Sequence, residues 1–235
     1  MPEVKLSHPD KVLFPDDGIT KADLAAYYAS VGEVMVPHVR DRPMNLWRWN
    51  NGIGGRLVVQ QDIPKGAPDW VERVETPRRK GGSIQHVLCQ GPDTLRWLSN
   101  QNCITPHVWT ARRDRLDRPD RVVFDLDPPE GTDFSVVREA ALAVGERMRS
   151  LGLEPFAMVT GSRGIHVVAL AWSMWVVRPP RRAAGLLQAV VLAEGQSHWA
   201  PSPCVACVET TSANEISLYG ARADGTRRAV RAQRG

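Results

Sequence analysis

The sequence predicts a domain of mixed helices and strands, α/β or α+β in class, from two observations. Short segments rich in β-branched and aromatic residues, typical of strands, alternate with longer segments whose apolar residues recur at helical spacing. The 235 residues are enough to bury a core without metals or disulfides, in one large domain or two small ones. A composition of 43% hydrophobic and 24% charged residues excludes wholesale disorder.

The first predicted helix begins after Thr20. Turn residues at 14–18 precede it, and Thr20 is a good N-cap with Asp23 three residues later. Apolar residues then recur at helical spacing, at Leu24, Tyr27, Tyr28, Val31, Val34 and Met35. We expect Pro37 to end this helix, because proline lacks the backbone N–H that a helix needs.

Residues 43–61 predict two strands joined by an Asn-Gly loop, since apolar and aromatic residues lie on both sides of residues 50–52. A further strand is predicted at 84–88 and a short helix at 93–100.

The segment 122–127 is β-branched and aromatic, and we expect a strand that ends at Pro128 and Pro129. A helix follows at 135–151, where apolar residues again recur at helical spacing. Two last strands, 156–159 and 165–170, are joined by the sequence GSRG.

From Trp172 the sequence changes in character. Arginine, proline and tryptophan are clustered there, and only 183–193 suggests a helix; lysine is absent there, as it is from the whole chain after Lys80. Residues 1–171 hold 22 Lys and Arg against 22 Asp and Glu, so the whole net charge of +4 lies in 172–235. A basic tail of this kind either binds nucleic acid or is solvated surface. We therefore divide the chain into a domain at 1–171 and an atypical segment at 172–235.

No apolar run reaches the ~18 residues of a membrane-spanning helix, and the start of the chain lacks the apolar stretch of a signal peptide. We expect a cytoplasmic protein with no membrane partner. The four cysteines are then free thiols rather than a disulfide framework.

Asp125 and Asp127 close the predicted strand at 122–127. Residues two apart on a strand share a face, so both carboxylates project together at the end of the strand. Two carboxylates on one face repel each other unless a cation lies between them, and such hard oxygen ligands suit Mg²⁺ or Mn²⁺. The alternative is an exposed strand end whose acids cap a turn.

The segment TGSRGIH at 160–166 joins two predicted strands. Its glycines allow a positive φ and a close approach of the backbone to a ligand. Thr160, Ser162, Arg163 and His166 supply donors for phosphate oxygens. The chemistry is that of an anion-binding loop, and an ordinary glycine-rich hairpin is the alternative.

Lys11 and Lys21 flank the turn before the first helix. Two lysines near a helix N-terminus can hold a phosphate, although surface lysines are usually just solvated. His107 follows a polar cluster ahead of the strand at 122–127, and a single histidine is more often structural than catalytic.

The order of these motifs resembles one known family. The matching sequences are DKVLFP at 10–15, TKADL at 20–24, YY at 27–28, RP at 42–43, PKGAPDW at 64–70, TLRWLSNQ at 94–101, RPD at 118–120, FDLDP at 124–128 and TGSRGIH at 160–166, together with His38 and His107. They are similar to the polymerase domain of bacterial ATP-dependent DNA ligase D. This is the primase-polymerase branch of the archaeo-eukaryotic primase superfamily, and it serves non-homologous end joining.

The resemblance covers roughly residues 5–170 and implies an α+β fold, with mixed or antiparallel sheets and packed helices around a primase-polymerase core. Asp125 and Asp127 match the family's catalytic, metal-binding acids, and His107 matches a histidine of the nucleotide pocket. Lys11 and Lys21 match lysines that hold the 5′-phosphate of a DNA break.

The loop residues Thr160, Ser162, Arg163 and His166 match the family's triphosphate-binding loop. The family more usually has Ser and Lys where this chain has Thr160 and Arg163. Both replacements keep the hydroxyl and the positive charge, although arginine is not equivalent to lysine at a tight site.

The resemblance implies a nucleotidyltransferase that uses Mn²⁺ or Mg²⁺ and nucleoside triphosphates to add ribonucleotides or deoxyribonucleotides to DNA ends. The implied partners are DNA ends with a 5′-phosphate, a Ku-type end-binding protein and a DNA ligase on a separate chain. The implied location is the cytoplasm, in association with the bacterial nucleoid.

Two departures from the family pattern limit this expectation. The sequence VVQQ at 58–61 stands where the family usually has aromatics and then a basic residue, and we find no third metal-binding acid after Ala171. Glu209 and Glu215 do not match its pattern. We interpret 172–235 as a divergent, truncated or frame-shifted segment that leaves the catalytic core incomplete at its C-terminus.

Two alternative functions therefore stay open. The first is a catalytically impaired module that binds 5′-phosphorylated DNA ends. The second is a priming enzyme that acts on single strands in replication, which the sequence does not distinguish from end joining.

Overall fold

The computed structural model describes residues 4–78, 81–129, 131–161 and 163–170, and the backbone of one strand at 205–207. The chain divides into two compact units, Met1–Leu116 and Asp117–Gly235. The predicted boundary between 171 and 172 falls where the described residues end, so it stays a prediction, as does the helix at 183–193. No helix in the described part is long and apolar enough to cross a membrane.

The N-terminal unit, Met1–Leu116, contains two helices and two sheets. Its elements in chain order are β1 (Val12–Phe14), β2 (Ile19–Thr20), α1 (Lys21–Val39), β3 (Met44–Trp49), β4 (Leu57–Gln60), β5 (Arg73–Pro77), β6 (Ser83–Val87), α2 (Pro92–Asn100) and β7 (Cys103–Val108). β1 pairs with β2, and the other five strands form one sheet in the order β4-β3-β6-β5, with β7 paired to β3. A core that includes Leu13, Leu24, Tyr28, Leu46 and Leu95 joins these elements.

Helix α1 confirms the predicted start and corrects the predicted end. The Thr20 side chain accepts a hydrogen bond from the Asp23 N–H, and the Asp23 carboxylate accepts one from the Thr20 N–H, which is a complete capping box. Pro37 does not end the helix, which continues to Val39. Pro37 lies in the last turn, so its missing N–H removes one helical hydrogen bond, and only two residues of the helix follow it.

The predicted hairpin at 43–61 is confirmed, with Trp49 of β3 opposite Leu57 of β4. The predicted strand at 84–88 is confirmed as β6, shifted by one residue, and the predicted helix at 93–100 is confirmed as α2, which begins one residue earlier. Strands β5 and β7 were not predicted. Pro106 interrupts the strand pattern of β7, and β7 tolerates it because β3 is its only partner among the described strands.

The C-terminal unit, Asp117–Gly235, is described as one sheet with one helix. Its elements are β8 (Arg121–Asp127), α3 (Phe134–Ser150), β9 (Pro155–Val159), β10 (Ile165–Leu170) and β11 (Val205–Cys207). The strand order is β11-β8-β10-β9, and every pair is antiparallel. The predicted strands and helix between 122 and 170 are confirmed within one residue at each end. Antiparallel sheets with packed helices confirm the predicted α+β class.

The two faces of this sheet differ in chemistry. Phe124 and Leu126 of β8 and Val167 of β10 point to one face and form a buried core with α3 residues such as Val144 and Met148. Because side chains alternate along a strand, the residues between them lie on the other face. Asp125, Asp127 and His166 are therefore on the face away from α3.

Candidate active site

Asp125 and Asp127 lie at the C-terminal end of β8, as predicted. Strand β10 runs beside them, with Ile165 opposite Leu126 and His166 opposite Asp125. The loop between β9 and β10 therefore lies at the same end of the sheet as the two acids. Asp125 is half-buried and Asp127 is exposed, so both carboxylates are accessible to a cation.

His166 contacts Asp125 directly. Its Nε2 lies 3.1 Å from Oδ1 of Asp125, and the two side chains keep 27% and 32% of their exposure. An ionised carboxylate can only accept hydrogen bonds, so a hydrogen bond in this pair requires the hydrogen on Nε2. Sequence reasoning assigned the two residues to separate functions and did not predict this contact.

The five-residue loop from Thr160 to Gly164 joins β9 to β10 as a hairpin closed by hydrogen bonds between its two ends. The Thr160 hydroxyl donates to the Gly164 carbonyl oxygen and accepts from the Gly164 N–H, both at 3.2 Å. Gly161 has a φ of +82°, a left-handed conformation that favours glycine. The Thr160 hydroxyl thus holds the loop shape, while its predicted contact with phosphate stays a prediction.

Gly164 is the point where this loop approaches β8. A Cβ atom there would lie 2.8 Å from the carbonyl oxygen of Leu126 and 3.3 Å from Oγ1 of Thr160. Arg163 is exposed beside it, and Ser162 lies outside the described residues. The absence of a side chain at Gly164 therefore lets the loop pack against the strand that carries the acids.

Strand β11 is the neighbour of β8 on the other side. Its backbone register places Cys207 opposite Asp125 and Val205 opposite Asp127. No carboxylate belongs to this three-residue strand, and Glu209 and Glu215 lie outside the described residues. The described part of the chain contains no group of three His, Cys, Asp or Glu side chains that could hold a metal.

Lys11 and Lys21 lie next to each other in the N-terminal unit, and their predicted binding of a phosphate stays a prediction. The Lys21 N–H donates to the Lys11 carbonyl oxygen at 2.8 Å, which joins the residue before β1 to the start of α1. The Lys11 ammonium donates to the carbonyl oxygen of Asn50, and the Lys21 ammonium donates to that of Asn100 at 3.3 Å. Lys21 is only 3% exposed, so its position is set by the fold.

Arg48 adds a third positive charge that sequence reasoning missed. Burial lowers the pKa of Lys21, and the charges of Lys11 and Arg48 lower it further. The Arg48 guanidinium donates to the Gln101 carbonyl oxygen at 2.7 Å, at the C-terminal end of α2. An anion bound between three cations that repel one another would stabilise their charged forms. The alternation of β3, which places Arg48 on the core side with Leu46, is the signal that could have identified it.

His107 lies on β7, opposite Asn45 of β3. Its ring stacks on Trp47, with ring centroids 4.0 Å apart and an interplanar angle of 23°. Trp49 lies beside Trp47, with centroids 6.4 Å apart. The exposed imidazole of His107 therefore belongs to an aromatic surface, and its predicted role in nucleotide binding is not tested.

The sequence VVQQ at 58–61, which departs from the family pattern, lies on β4 and the residue after it. Val58 and Val59 of β4 are 36% and 52% exposed, so aliphatic side chains stand on the surface there. Exposed valines present less surface for stacking than aromatic rings do.

Comparison with known proteins supports the fold and the order of motifs. Residues 20–190 match the family model for the LigD primase-polymerase domain, and the match continues past the predicted boundary at 171. The multifunctional non-homologous end joining protein LigD of Mycolicibacterium smegmatis is 36% identical over 166 residues, which are 70% of this chain and 22% of that protein. The bifunctional LigD of Bacillus subtilis is 29% identical over 166 residues, 71% of this chain and 26% of that protein.

The chain thus spans about a fifth to a quarter of the length of these curated relatives. Among solved structures, the polymerase domain of Mycobacterium tuberculosis ligase D in complex with DNA is similar, with a TM-score of 0.74 and 27% sequence identity. The superposition covers 92% of this chain and 81% of that one. The fold is that of a ligase D polymerase domain.

The chain belongs to the LigD primase-polymerase domain family. This confirms the family that the ordered motifs indicated.

Proposed function

We propose that this chain is a primase-polymerase that adds ribonucleotides or deoxyribonucleotides to DNA ends in non-homologous end joining. One observation carries the proposal: in a chain of this family, Asp125 and Asp127 lie at the end of β8 beside the loop from Thr160 to Gly164. Two acids and a phosphate-type loop at one end of a sheet suit the transfer of a nucleotide from its triphosphate.

The donor set fits Mn²⁺ or Mg²⁺. Asp125 and Asp127 are hard oxygen ligands on one accessible face, and Mg²⁺ in nucleotide sites is commonly held by one or two carboxylates with substrate phosphates. When bound, such a cation stabilises charge on the phosphate oxygens. The protein's own contribution is to hold the two acids, and to hold the triphosphate on Thr160, Ser162, Arg163 and His166.

We further propose that the N-terminal unit recognises its substrates through two groups of residues. Lys11 and Lys21, with Arg48 nearby, hold a 5′-phosphate, and His107 on the aromatic surface binds the nucleotide. The cation cluster and its mutual repulsion support the first role. The similar domain from Mycobacterium tuberculosis was solved in complex with DNA, which supports a DNA partner.

A Ku-type end-binding protein, a DNA ligase on a separate chain and a location at the nucleoid are parts of the same proposal. They follow from the family's role in end joining. Co-purification of the tagged chain with Ku from cells, with Lys11→Ala as a variant, tests whether such a partner exists independently of DNA-end binding.

Extension of a gapped DNA duplex with a 5′-phosphate, in the presence of Mn²⁺ and nucleoside triphosphates, tests the proposal. Wild-type protein should incorporate nucleotides. Asp125→Ala and Asp127→Ala should each lower the rate by about 100-fold or more, because each removes a ligand that neutralises developing charge. Incorporation that survives both substitutions excludes the assigned site.

The phosphate role of the lysines has its own measurement. Lys11→Ala should reduce the preference for a 5′-phosphate over a 5′-hydroxyl by about tenfold, the size of one charged hydrogen bond. Lys65→Ala removes an exposed lysine elsewhere on the unit and should leave the preference unchanged. Equal effects of the two substitutions would show that only net charge matters.

A second candidate is a DNA-end binding module with little turnover. The register of β11 favours it, because no carboxylate of that strand lies opposite Asp125 or Asp127. This candidate predicts binding that prefers a 5′-phosphate and no incorporation of nucleotides by the wild-type protein.

A further inference from the structure

We propose that His166 is a positioning residue for Asp125, and that it tightens cation binding before any nucleotide arrives. This inference rests on the proposed function, because it assumes that Asp125 and Asp127 hold a cation. It goes beyond the predicted triphosphate contact of His166 by assigning it a role toward the acid itself.

The contact is built into the sheet. His166 and Asp125 are directly opposite each other on β10 and β8, and their side chains share the face away from α3. The backbone register thus sets their separation, and the side chains meet at 3.1 Å. Because both backbones are already ordered in the sheet, the contact has to order only the two side chains, whereas a contact between mobile loops would also have to order the backbone.

The contact leaves Asp125 able to bind a cation. The contact with His166 uses Oδ1, and a carboxylate has further lone pairs on both oxygens. A hydrogen bond to one oxygen fixes the rotation of the carboxylate and directs the other oxygen. Carboxylates that bind metals in proteins are commonly held in this way by a second residue, whose loss weakens metal binding.

Asp127 has no comparable side-chain contact in the described part of the chain. Within residues 4–78, 81–129, 131–161 and 163–170, no side chain forms a hydrogen bond or ion pair with it, and it is exposed at the strand end. One acid is therefore oriented in advance and the other can adjust. We infer that Asp125 supplies the fixed ligand and Asp127 the adaptable one.

A measurement of Mn²⁺ binding without nucleotide or DNA tests this inference. The loss of the electron paramagnetic resonance signal of the free ion reports the bound fraction. His166→Ala should weaken Mn²⁺ binding by about tenfold. His166→Gln should recover most of the affinity, because its amide nitrogen can stand near the position of Nε2. His166→Asn is shorter and should not recover it.

Val168→Ala is the matched control, since Val168 is half-buried two residues further along the same strand and face. Equal Mn²⁺ affinity for His166→Ala and Val168→Ala, or tighter binding in His166→Ala, would overturn the positioning role. If circular dichroism shows that His166→Ala does not fold, the Mn²⁺ affinities of His166→Gln and His166→Asn are compared instead. Equal affinities of these two polar variants would overturn the positioning role.

The failure of this inference can be told apart from failure of the proposed function. If Asp125→Ala and Asp127→Ala leave Mn²⁺ binding unchanged, the cation site itself is wrong. If they abolish binding while the His166 variants match the control, the cation site stands and only the role of His166 is excluded.

Discussion

His86 is a titratable residue in the core of the N-terminal unit. It is 1% exposed, and its Nδ1 lies 3.2 Å from the carbonyl oxygen of Met44. Burial lowers its pKa, more than the Met44 carbonyl and the charge of Asp62 raise it. The folded state therefore binds this proton less readily than the unfolded state, and stability rises with pH through this region.

We expect the free energy of unfolding to fall as the pH drops below about 6.5, the ordinary histidine value, by at most about 1.4 kcal/mol per pH unit for this one group. Urea denaturation between pH 5 and 8 measures it. His86→Asn keeps a donor near the position of Nδ1 and removes the titration, so its curve should be flatter than that of the wild type. Parallel curves would show that His86 does not carry the dependence.

Gly164 is a second residue whose identity the packing requires. An added Cβ would meet the Leu126 carbonyl at 2.8 Å, and a backbone atom cannot move aside as a side chain can. Gly164→Ala should cost about 1 to 3 kcal/mol in unfolding free energy. It should also lower nucleotide incorporation by about 100-fold if the loop moves by an ångström from the acids.

Gly145 offers the matched control. It lies within α3, and the nearest atom to an added Cβ, Cγ of Pro155, is 3.7 Å away. Gly145→Ala should therefore be neutral or raise stability by up to about 1 kcal/mol, because alanine favours the helix. A similar loss for both substitutions, measured by thermal unfolding, would contradict the packing argument.

At the scale of elements, α1 depends on its first turn. Thr20→Ala removes the side chain that accepts from the Asp23 N–H, and should lower the unfolding free energy by about 1 kcal/mol. Hydrogen bonds from Thr20 also lower the pKa of Asp23. The stabilisation from these bonds is therefore fully present above the ordinary pKa of an aspartate and is lost as the pH falls through the lowered pKa of Asp23.

Urea denaturation at neutral pH measures the Thr20→Ala effect, and Thr20→Ser, which keeps the hydroxyl, is the control. If alanine and serine are equivalent, the cap contributes nothing to stability. If the helix content measured by circular dichroism is also unchanged, the packing of the apolar face is sufficient for α1 to form without the cap.

Elements could be predicted where local chemistry decides them. Thr20 and Asp23 begin α1, and the β-branched run before Pro128 defines β8, because caps and apolar patterns act over a few residues. Pro37 was wrongly predicted to end α1, since the effect of a proline depends on its distance from the helix end. Strand β7 was missed because its Pro106 is acceptable only at a sheet edge, which is a property of the whole sheet.

At the scale of the whole molecule, the chain combines two separate chemistries. The C-terminal unit carries Asp125, Asp127 and the glycine loop, and the N-terminal unit carries the lysine cluster and the stacked His107. Their motifs could be found in the sequence, and the family resemblance was confirmed.

The contacts within each unit could not be predicted. The approach of His166 to Asp125 depends on strand register, and that of Arg48 to Lys21 on how α1 packs near β3; both bring together residues that are far apart in sequence.

A crystal structure of the chain grown with Mn²⁺ and a non-hydrolysable nucleoside triphosphate tests the central claim most directly. Anomalous scattering from manganese should place the ion on Asp125 and Asp127, with the triphosphate against the loop from Thr160 to His166. Manganese bound elsewhere, or a triphosphate on the α3 face of the sheet, would contradict the proposed active site.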